Sequence, residues 1–354
     1  MKQQAIQYLA FDVHRATVVA SLRDANGRVV MRATVATETK QILALVKSAG
    51  PRVHVAFEEG TQAQWLHDLL IDHAERVVVC NVRGDSEGEN KSDRIDADEL
   101  SERLRVGRLK PVYHGTPEVL TLKELVRSYS SLVSDTTRVM LRIKAIFRAR
   151  AIPTPGVSVY RASKRKQWLA QLEGGARIRA TALLSQLDLL LELRPKAKTA
   201  MIAAARRLPG WKIVCSIPFL GPVRVAQILA IMRTPHRFRT KRNLWPYAGL
   251  AVVTRSSADQ EFKDGKLQRR KRAPLTRGLN RNHNPILKLV FKGAATSAIA
   301  KAGPLRELYE ATLARGVKED LAKVTLARKI AAVVLRLWKR GELWDPKKLT
   351  MQVT

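Results

Sequence analysis

An α/β domain on a mixed sheet, followed by an all-α body, is the fold class that this 354-residue chain predicts. Three observations predict it. The first hundred residues alternate strand-like and helix-like segments, beginning with three strands in succession. Beyond Pro117 the apolar spacing lengthens to that of long helices. The charge also divides: 64 Lys+Arg face 31 Asp+Glu overall, yet the first hundred residues hold 15 acidic and 12 basic residues. The cationic excess therefore belongs to the remainder.

The elements follow in order. Ala5–Val13 and Thr17–Arg23 have the alternation of strands, Asp24-Ala-Asn-Gly27 supplies a turn, and Val29–Val35 makes a third strand. Thr39–Ala49 has helical spacing, and Val53–Phe57 is a short buried strand. Gln62–His73 is an amphipathic helix, Arg76–Asn81 a strand and Asp93–Val106 a helix. Three antiparallel strands followed by strand–helix repeats give a mixed sheet flanked by helices. From Pro117 to about Leu208 two long helical stretches are separated by Pro153-Thr-Pro-Gly156, which reads as a helical spacer or dimerisation arm. Ser216-Ile-Pro-Phe-Leu-Gly221 is a tight turn opening into a helix, either a phosphate clamp or an ordinary helix–helix turn. Near the end, Val324–Arg340 has the spacing of a core helix. The chain thus divides into residues 1–112, 113–208 and 209–354.

Bulk properties exclude several classes. A hydrophobic content of 45% argues for folded domains with real cores. Cys80 and Cys215 alone make neither a zinc site nor a disulfide framework, which fits a reducing compartment. No apolar run approaches the ~20 residues that span a bilayer, and Met1-Lys-Gln-Gln passes into a strand without a leader core. The expectation is a cytoplasmic protein that uses its charge on a polyanion.

Four carboxylates stand out in the first hundred residues. Asp12 follows Tyr8-Leu-Ala-Phe11 inside a central strand, where an unpaired charge is costly unless it binds a cation or pairs with a base such as Arg15. Glu58, with Glu59 as its rival, ends the strand Val53–Phe57, where open sheets place ligand-binding groups. Asp93 and Asp96 are three apart at a helix start and share a face, as metal ligands or as capping acids. Four carboxylates suit a pair of Mg2+ (or Mn2+) ions about 4 Å apart, the arrangement that supports phosphodiester chemistry.

The words around these acids carry a resemblance. Tyr8-Leu-Ala-Phe-Asp12, Phe57-Glu58-Glu-Gly-Thr and Lys91-Ser-Asp93-Arg-Ile-Asp96-Ala97 resemble the DEDD transposases of the insertion-sequence-110 family. Ser216-Ile-Pro-Phe-Leu-Gly221 and Tyr247-Ala-Gly-Leu250 are similar to its C-terminal transposase domain. The resemblance implies a ribonuclease H-like (RuvC-type) domain carrying Asp12, Glu58, Asp93 and Asp96 as metal ligands, a coiled-coil spacer, and a mostly helical transposase domain with a nucleophilic serine. Counting from Leu250, Ser257 falls at the family's serine position and Ser256 is the alternative; Ala258 stands where the family often has glycine. The implied chemistry is attack on a DNA phosphate to give a 5′-phosphoserine, followed by strand exchange between donor and target duplexes. Guidance by a structured noncoding RNA and a dimeric or tetrameric assembly are implied as well.

A basic tract beside the serine fits that demand. Arg255, Lys263, Lys266, Arg269, Arg270, Lys271, Arg272, Arg277 and Arg281 offer phosphate contacts, and Asn280, Asn282, His283 and Asn284 add polar donors. Two other readings are a metal-dependent nuclease of junction-resolvase type, cutting by water attack, and a noncatalytic nucleic-acid-binding protein.

Overall fold

The computed structural model describes residues 5–81, 93–112, 114–255, 260–263, 266–269 and 275–346. The chain forms two compact units, Met1–His114 and Gly115–Thr354.

The first unit is a five-stranded mixed sheet with helices on both faces. Its elements are β1 (Gln7–Val13), β2 (Thr17–Arg23), β3 (Val29–Ala36), α1 (Thr39–Ser48), β4 (Val53–Glu58), α2 (Ala63–Leu70), β5 (Arg76–Cys80) and α3 (Asp93–Arg105). The strand order is β3-β2-β1-β4-β5; β1, β2 and β3 pair antiparallel, while β4 runs parallel to both β1 and β5. Alternation in β1 and β4 sorts the side chains between the faces. Leu9, Phe11, Val55 and Phe57 bury one face with Ile42 and Val46 of α1 and Leu66 and Leu70 of α2. Ala10, Ala56, Val78 and Cys80 form the other face with Leu100 and Leu104 of α3. The alanines keep that face low, so a helix packs closely upon it.

A polar staple fixes the direction of α3. Ser21 Oγ donates to Asp98 Oδ1 at 2.6 Å and Arg32 Nη2 lies 2.9 Å from Asp98 Oδ2. Arg23 Nε donates to Ser101 Oγ at 2.9 Å, and Arg105 Nη1 reaches the Ala25 carbonyl at 3.4 Å. The C-terminal end of α3 therefore lies by the β2–β3 turn. Because β2 is antiparallel to β1, with Arg23 opposite Tyr8, that turn is at the N-terminal end of β1. The first turn of α3 accordingly stands at the opposite edge, where β1 and β4 finish.

The second unit is mostly helical. α4 (Pro117–Arg148), α5 (Arg165–Leu169) and α6 (Gly174–Arg206) lead into α7 (Trp211–Ser216), α8 (Pro222–Met232) and α9 (Lys241–Tyr247). Four short strands follow: β6 (Val252–Arg255), β7 (Gln260–Lys263), β8 (Lys266–Arg269) and β9 (Leu275–Leu279). The unit ends in α10 (Pro285–Ile299), α11 (Pro304–Ala314) and α12 (Glu319–Arg340). α4 and α6 form an antiparallel pair about 50 Å long, from 1.5 Å per residue. Val139, Ile143 and Phe147 meet Ala180, Leu184 and Leu187 in one cluster. Leu122 and Val126 share the main core with Met201 and Ala205, alongside Ile228 and Leu229 of α8 and Ile330 and Val334 of α12. The root of the helix pair is thus built into the C-terminal core.

One feature differs from expectation. The basic tract after Leu250 contains strands: β6 pairs antiparallel with β9, and β7 with β8. Val252-Val-Thr254, Phe262, Leu267 and Leu275-Thr276 supply β-branched and apolar residues that the surrounding Lys and Arg disguise. The turn between α7 and α8 is held by one of its own side chains: Phe219 takes φ +66°, and its carbonyl accepts from Arg224 Nη1 at 2.7 Å.

Candidate functional site

The sheet edge is assembled by register. The β1–β4 ladder runs to Phe11 opposite Phe57, so Asp12 and Glu58 are the next residues on two adjacent parallel strands. Neighbouring strands lie about 4.8 Å apart. Two residues beyond Ala10 and Ala56, both carboxylates leave the face that α3 covers, whereas Glu59 stands one residue out of phase. The Glu59 N–H instead closes the strand end on the Cys80 carbonyl at 2.8 Å. On α3, Asp93 occupies the stripe of Ala97, Leu100 and Leu104, and Asp96 lies one turn before Leu100. The Asp93 side chain lies outside the described residues, and Asp96 is exposed.

Electrostatics at this edge have identifiable causes. The Asp12 side chain is 24% exposed, and its Oδ2 lies 3.1 Å from His14 Nε2. Glu58 is exposed at the end of β4 and paired in register with Cys80. Burial, reinforced by the Glu58 charge, pushes the Cys80 thiol up to about 12, so this cysteine is a packed, protonated group. Asp98, in the same helix as Asp93 and Asp96, is not available to a ligand. Burial alone would raise it, but hydrogen bonds from Arg32 and Ser21 and the charges of Arg32 and Arg23 hold it below its ordinary value.

Among the described residues no group of three or more His, Cys, Asp or Glu is arranged to hold a metal ion. The donor chemistry nonetheless fits a hard divalent cation: Asp12 and Glu58 carry carboxylate oxygens on one face of one sheet edge, and the neighbouring Cys80 thiol is buried and protonated.

The second unit gathers the basic residues on one double hairpin. Arg255 ends β6 opposite Leu275, Lys263 and Lys266 close the β7–β8 hairpin, and Arg269 faces Gln260. Arg277 lies in β9 and Arg281 is exposed just after it. Ser256 and Ser257, with Arg270, Lys271 and Arg272, lie outside the described residues. The serines follow β6 directly in the chain.

The base of this hairpin is welded to the helices. In Tyr247-Ala-Gly-Leu250, Gly249 adopts φ +65°, and the Leu250 N–H bonds the Trp245 carbonyl at 2.8 Å. A Cβ at Gly249 would lie 2.5 Å from His283 Cδ2, so the imidazole rests directly on the glycine backbone. Asn280 Nδ2 donates to the Pro246 carbonyl at 3.1 Å, the Asn284 N–H bonds the Tyr247 carbonyl at 2.8 Å, and Arg328 Nε bonds the Leu250 carbonyl at 2.5 Å. His283 and the asparagines thus brace the point where β6 leaves and β9 returns.

Two contacts of these acids lie beyond what the sequence marks: that of His14 with Asp12, and the Asp98 staple. For His14 the available signal is its position, two residues after Asp12 and just beyond the end of β1. For Asp98 no local signal exists, because its partners are 66 and 77 residues away.

Among the described residues no helix is long and apolar enough to cross a membrane. Residues 9–150 match the transposase family of DEDD type from IS110 elements, and residues 211–310 match the transposase IS116/IS110/IS902 family. The chain is also 24% identical to the insertion element IS116 uncharacterized 44.8 kDa protein of Streptomyces clavuligerus. That alignment spans 382 positions and covers 91% of this chain and 92% of the relative.

Proposed function

The chain belongs to the insertion-sequence-110 family of transposases, and from that premise we propose that it cleaves and exchanges DNA strands with a split active site. One half is the acidic sheet edge; the other is Ser257, just beyond β6. The observation that carries the reading is the register of β1 and β4, which aligns Asp12 with Glu58 at one edge of the sheet, the edge toward which α3 presents its first turn. On this reading the first unit is a ribonuclease H-like domain, and the α4–α6 pair is a spacer between active domains or protomers.

Asp12, Glu58, Asp93 and Asp96 would hold Mg2+ or Mn2+, which when bound supplies positive charge to the scissile phosphate. The remaining steps belong to the chain. Ser257 Oγ attacks phosphorus, the Oγ–P bond forms and the P–O3′ bond breaks. The serine proton passes to a carboxylate and the leaving 3′ oxygen takes a proton. The product is a 5′-phosphoserine and a free 3′-hydroxyl. Attack of a 3′-hydroxyl from the exchanged strand then releases the serine. Arg255, Lys263, Lys266, Arg269, Arg277 and Arg281, with Arg270, Lys271 and Arg272, serve as backbone contacts to DNA and to a structured guide RNA. Base pairing supplies the sequence choice. Two duplexes and two half-sites suit a homodimer or tetramer.

Trapping the covalent intermediate tests this. With 3′-labelled substrate, denaturing electrophoresis is expected to show a protein–DNA adduct that Ser257→Ala abolishes and Ser256→Ala retains. Loss only in Ser256→Ala moves the nucleophile by one residue. Cleavage without any adduct indicates water attack by a metal nuclease, and binding without cleavage indicates a noncatalytic protein.

A further inference from the structure

We infer that His14 is a positioning residue that holds the Asp12 carboxylate in its metal-binding orientation, an inference that rests on the acidic-edge reading above. The contact is direct: His14 Nε2 lies 3.1 Å from Asp12 Oδ2. An ionised carboxylate only accepts hydrogen bonds, so Nε2 carries the hydrogen and donates. Nε2 is then occupied and is not itself a cation ligand. Its role is to fix the plane of the carboxylate through one oxygen.

The imidazole is delivered to that position by a tied-down turn. The His14 N–H donates to the Thr17 carbonyl at 2.9 Å, closing the connection between β1 and β2. Thr37 Oγ1, just past β3, donates to the His14 carbonyl at 3.1 Å, and the Thr37 N–H bonds the Ala16 carbonyl at 3.0 Å. From the other side Gln62 Nε2, at the start of α2, donates to the Arg15 carbonyl at 3.4 Å. Residues at the ends of three elements, β2, β3 and α2, therefore hold three consecutive residues, so the His14–Asp12 bond is preorganised rather than won from a mobile loop. Hydrogen bonds from outer groups to ligating carboxylates set both ligand orientation and metal affinity, and their loss costs about 10–100-fold in binding.

His14 thus contributes geometry, not charge, at the site. A glutamine at position 14 reproduces an N–H donor near the Nε2 position without an imidazole. An alanine does not.

The test is Mn2+ binding to the full-length protein by titration calorimetry, with metal-free thermal melts of each variant. Asp12→Asn is expected to abolish high-affinity binding. His14→Ala is expected to weaken it about 10–100-fold with little change in the metal-free melting temperature, and His14→Gln to recover most of the loss. If His14→Ala binds Mn2+ as the wild type does while Asp12→Asn does not, the inference fails and the acidic-edge reading stands. If Asp12→Asn also binds normally, the reading itself fails. If both His14 variants lose binding together with a lowered metal-free melting temperature, the residue serves only the turn, and the positioning role is overturned.

Discussion

Gly249→Ala probes the brace at the base of β6 and β9 with a magnitude that the geometry sets. The backbone at 249 sits at φ +65°, where an L side chain costs about 1–2 kcal/mol. The new Cβ also meets the imidazole of His283 at 2.5–2.6 Å, well inside van der Waals distance. Displacing a packed ring costs about 1–3 kcal/mol, so the substitution should destabilise this region by about 2–5 kcal/mol. The clash term is separable. His283→Ala removes the ring, so the double variant should recover about 1–3 kcal/mol relative to the sum of the single costs, leaving the backbone term. Urea unfolding followed by tryptophan fluorescence reports it, because Trp168, Trp211, Trp245, Trp338 and Trp344 all lie in the second unit and only Trp65 in the first. Wild-type stability in Gly249→Ala, or strictly additive costs in the double variant, would refute the packing of His283 on this glycine.

Asp98→Ala should lower the melting temperature of the sheet unit by unlatching α3 from β2 and β3. Because the folded Asp98 lies below its ordinary value, its contribution is complete above the unfolded pKa of about 3.9 and is lost as pH falls through the lower folded value. An acid melt of the wild type should therefore show a step that the variant lacks. Cys80, buried and held at about 12, should resist iodoacetamide at a mildly alkaline pH in the native protein while the partly exposed Cys215 reacts; mass spectrometry of the alkylated chain distinguishes them. Replacing Lys263 and Lys266 with alanine should weaken nucleic-acid binding and make its salt dependence shallower, by a slope of about 0.9 for each duplex phosphate left unneutralised. Filter binding across a range of salt concentrations measures both effects.

Much of the sheet unit is legible in the sequence because its cues are local. Alternation marks β1 to β3, Asp24-Ala-Asn-Gly27 turns the chain between two of them, and short apolar runs mark β4 and β5. The long helices are equally plain from their spacing. β6 to β9 are not, because basic residues occupy so many positions that the alternation of Val252, Thr254, Phe262 and Leu267 is hidden. The acids divide in the same way. Asp12 and Glu58 can be nominated from strand position, yet their alignment depends on a parallel pairing between segments some forty residues apart, which no local pattern states. Asp98 lies within two residues of Asp96, and only its long-range bonds to Ser21 and Arg32 mark it as structural. The contact of His14 with Asp12 is set by the turn that carries it, not by any pattern in its sequence neighbours.

On the proposed function, Asp12 and Glu58 act together as one acidic edge in strand cleavage. The direct test is strand cleavage by the purified full-length protein with donor and target DNA, the proposed guide RNA and Mg2+, comparing wild type with Asp12→Asn and Glu58→Gln. Both substitutions are expected to reduce cleavage by at least ~100-fold, the scale of about 2.7 kcal/mol of transition-state stabilisation, while leaving nucleic-acid binding intact. Undiminished cleavage in either variant would contradict the account.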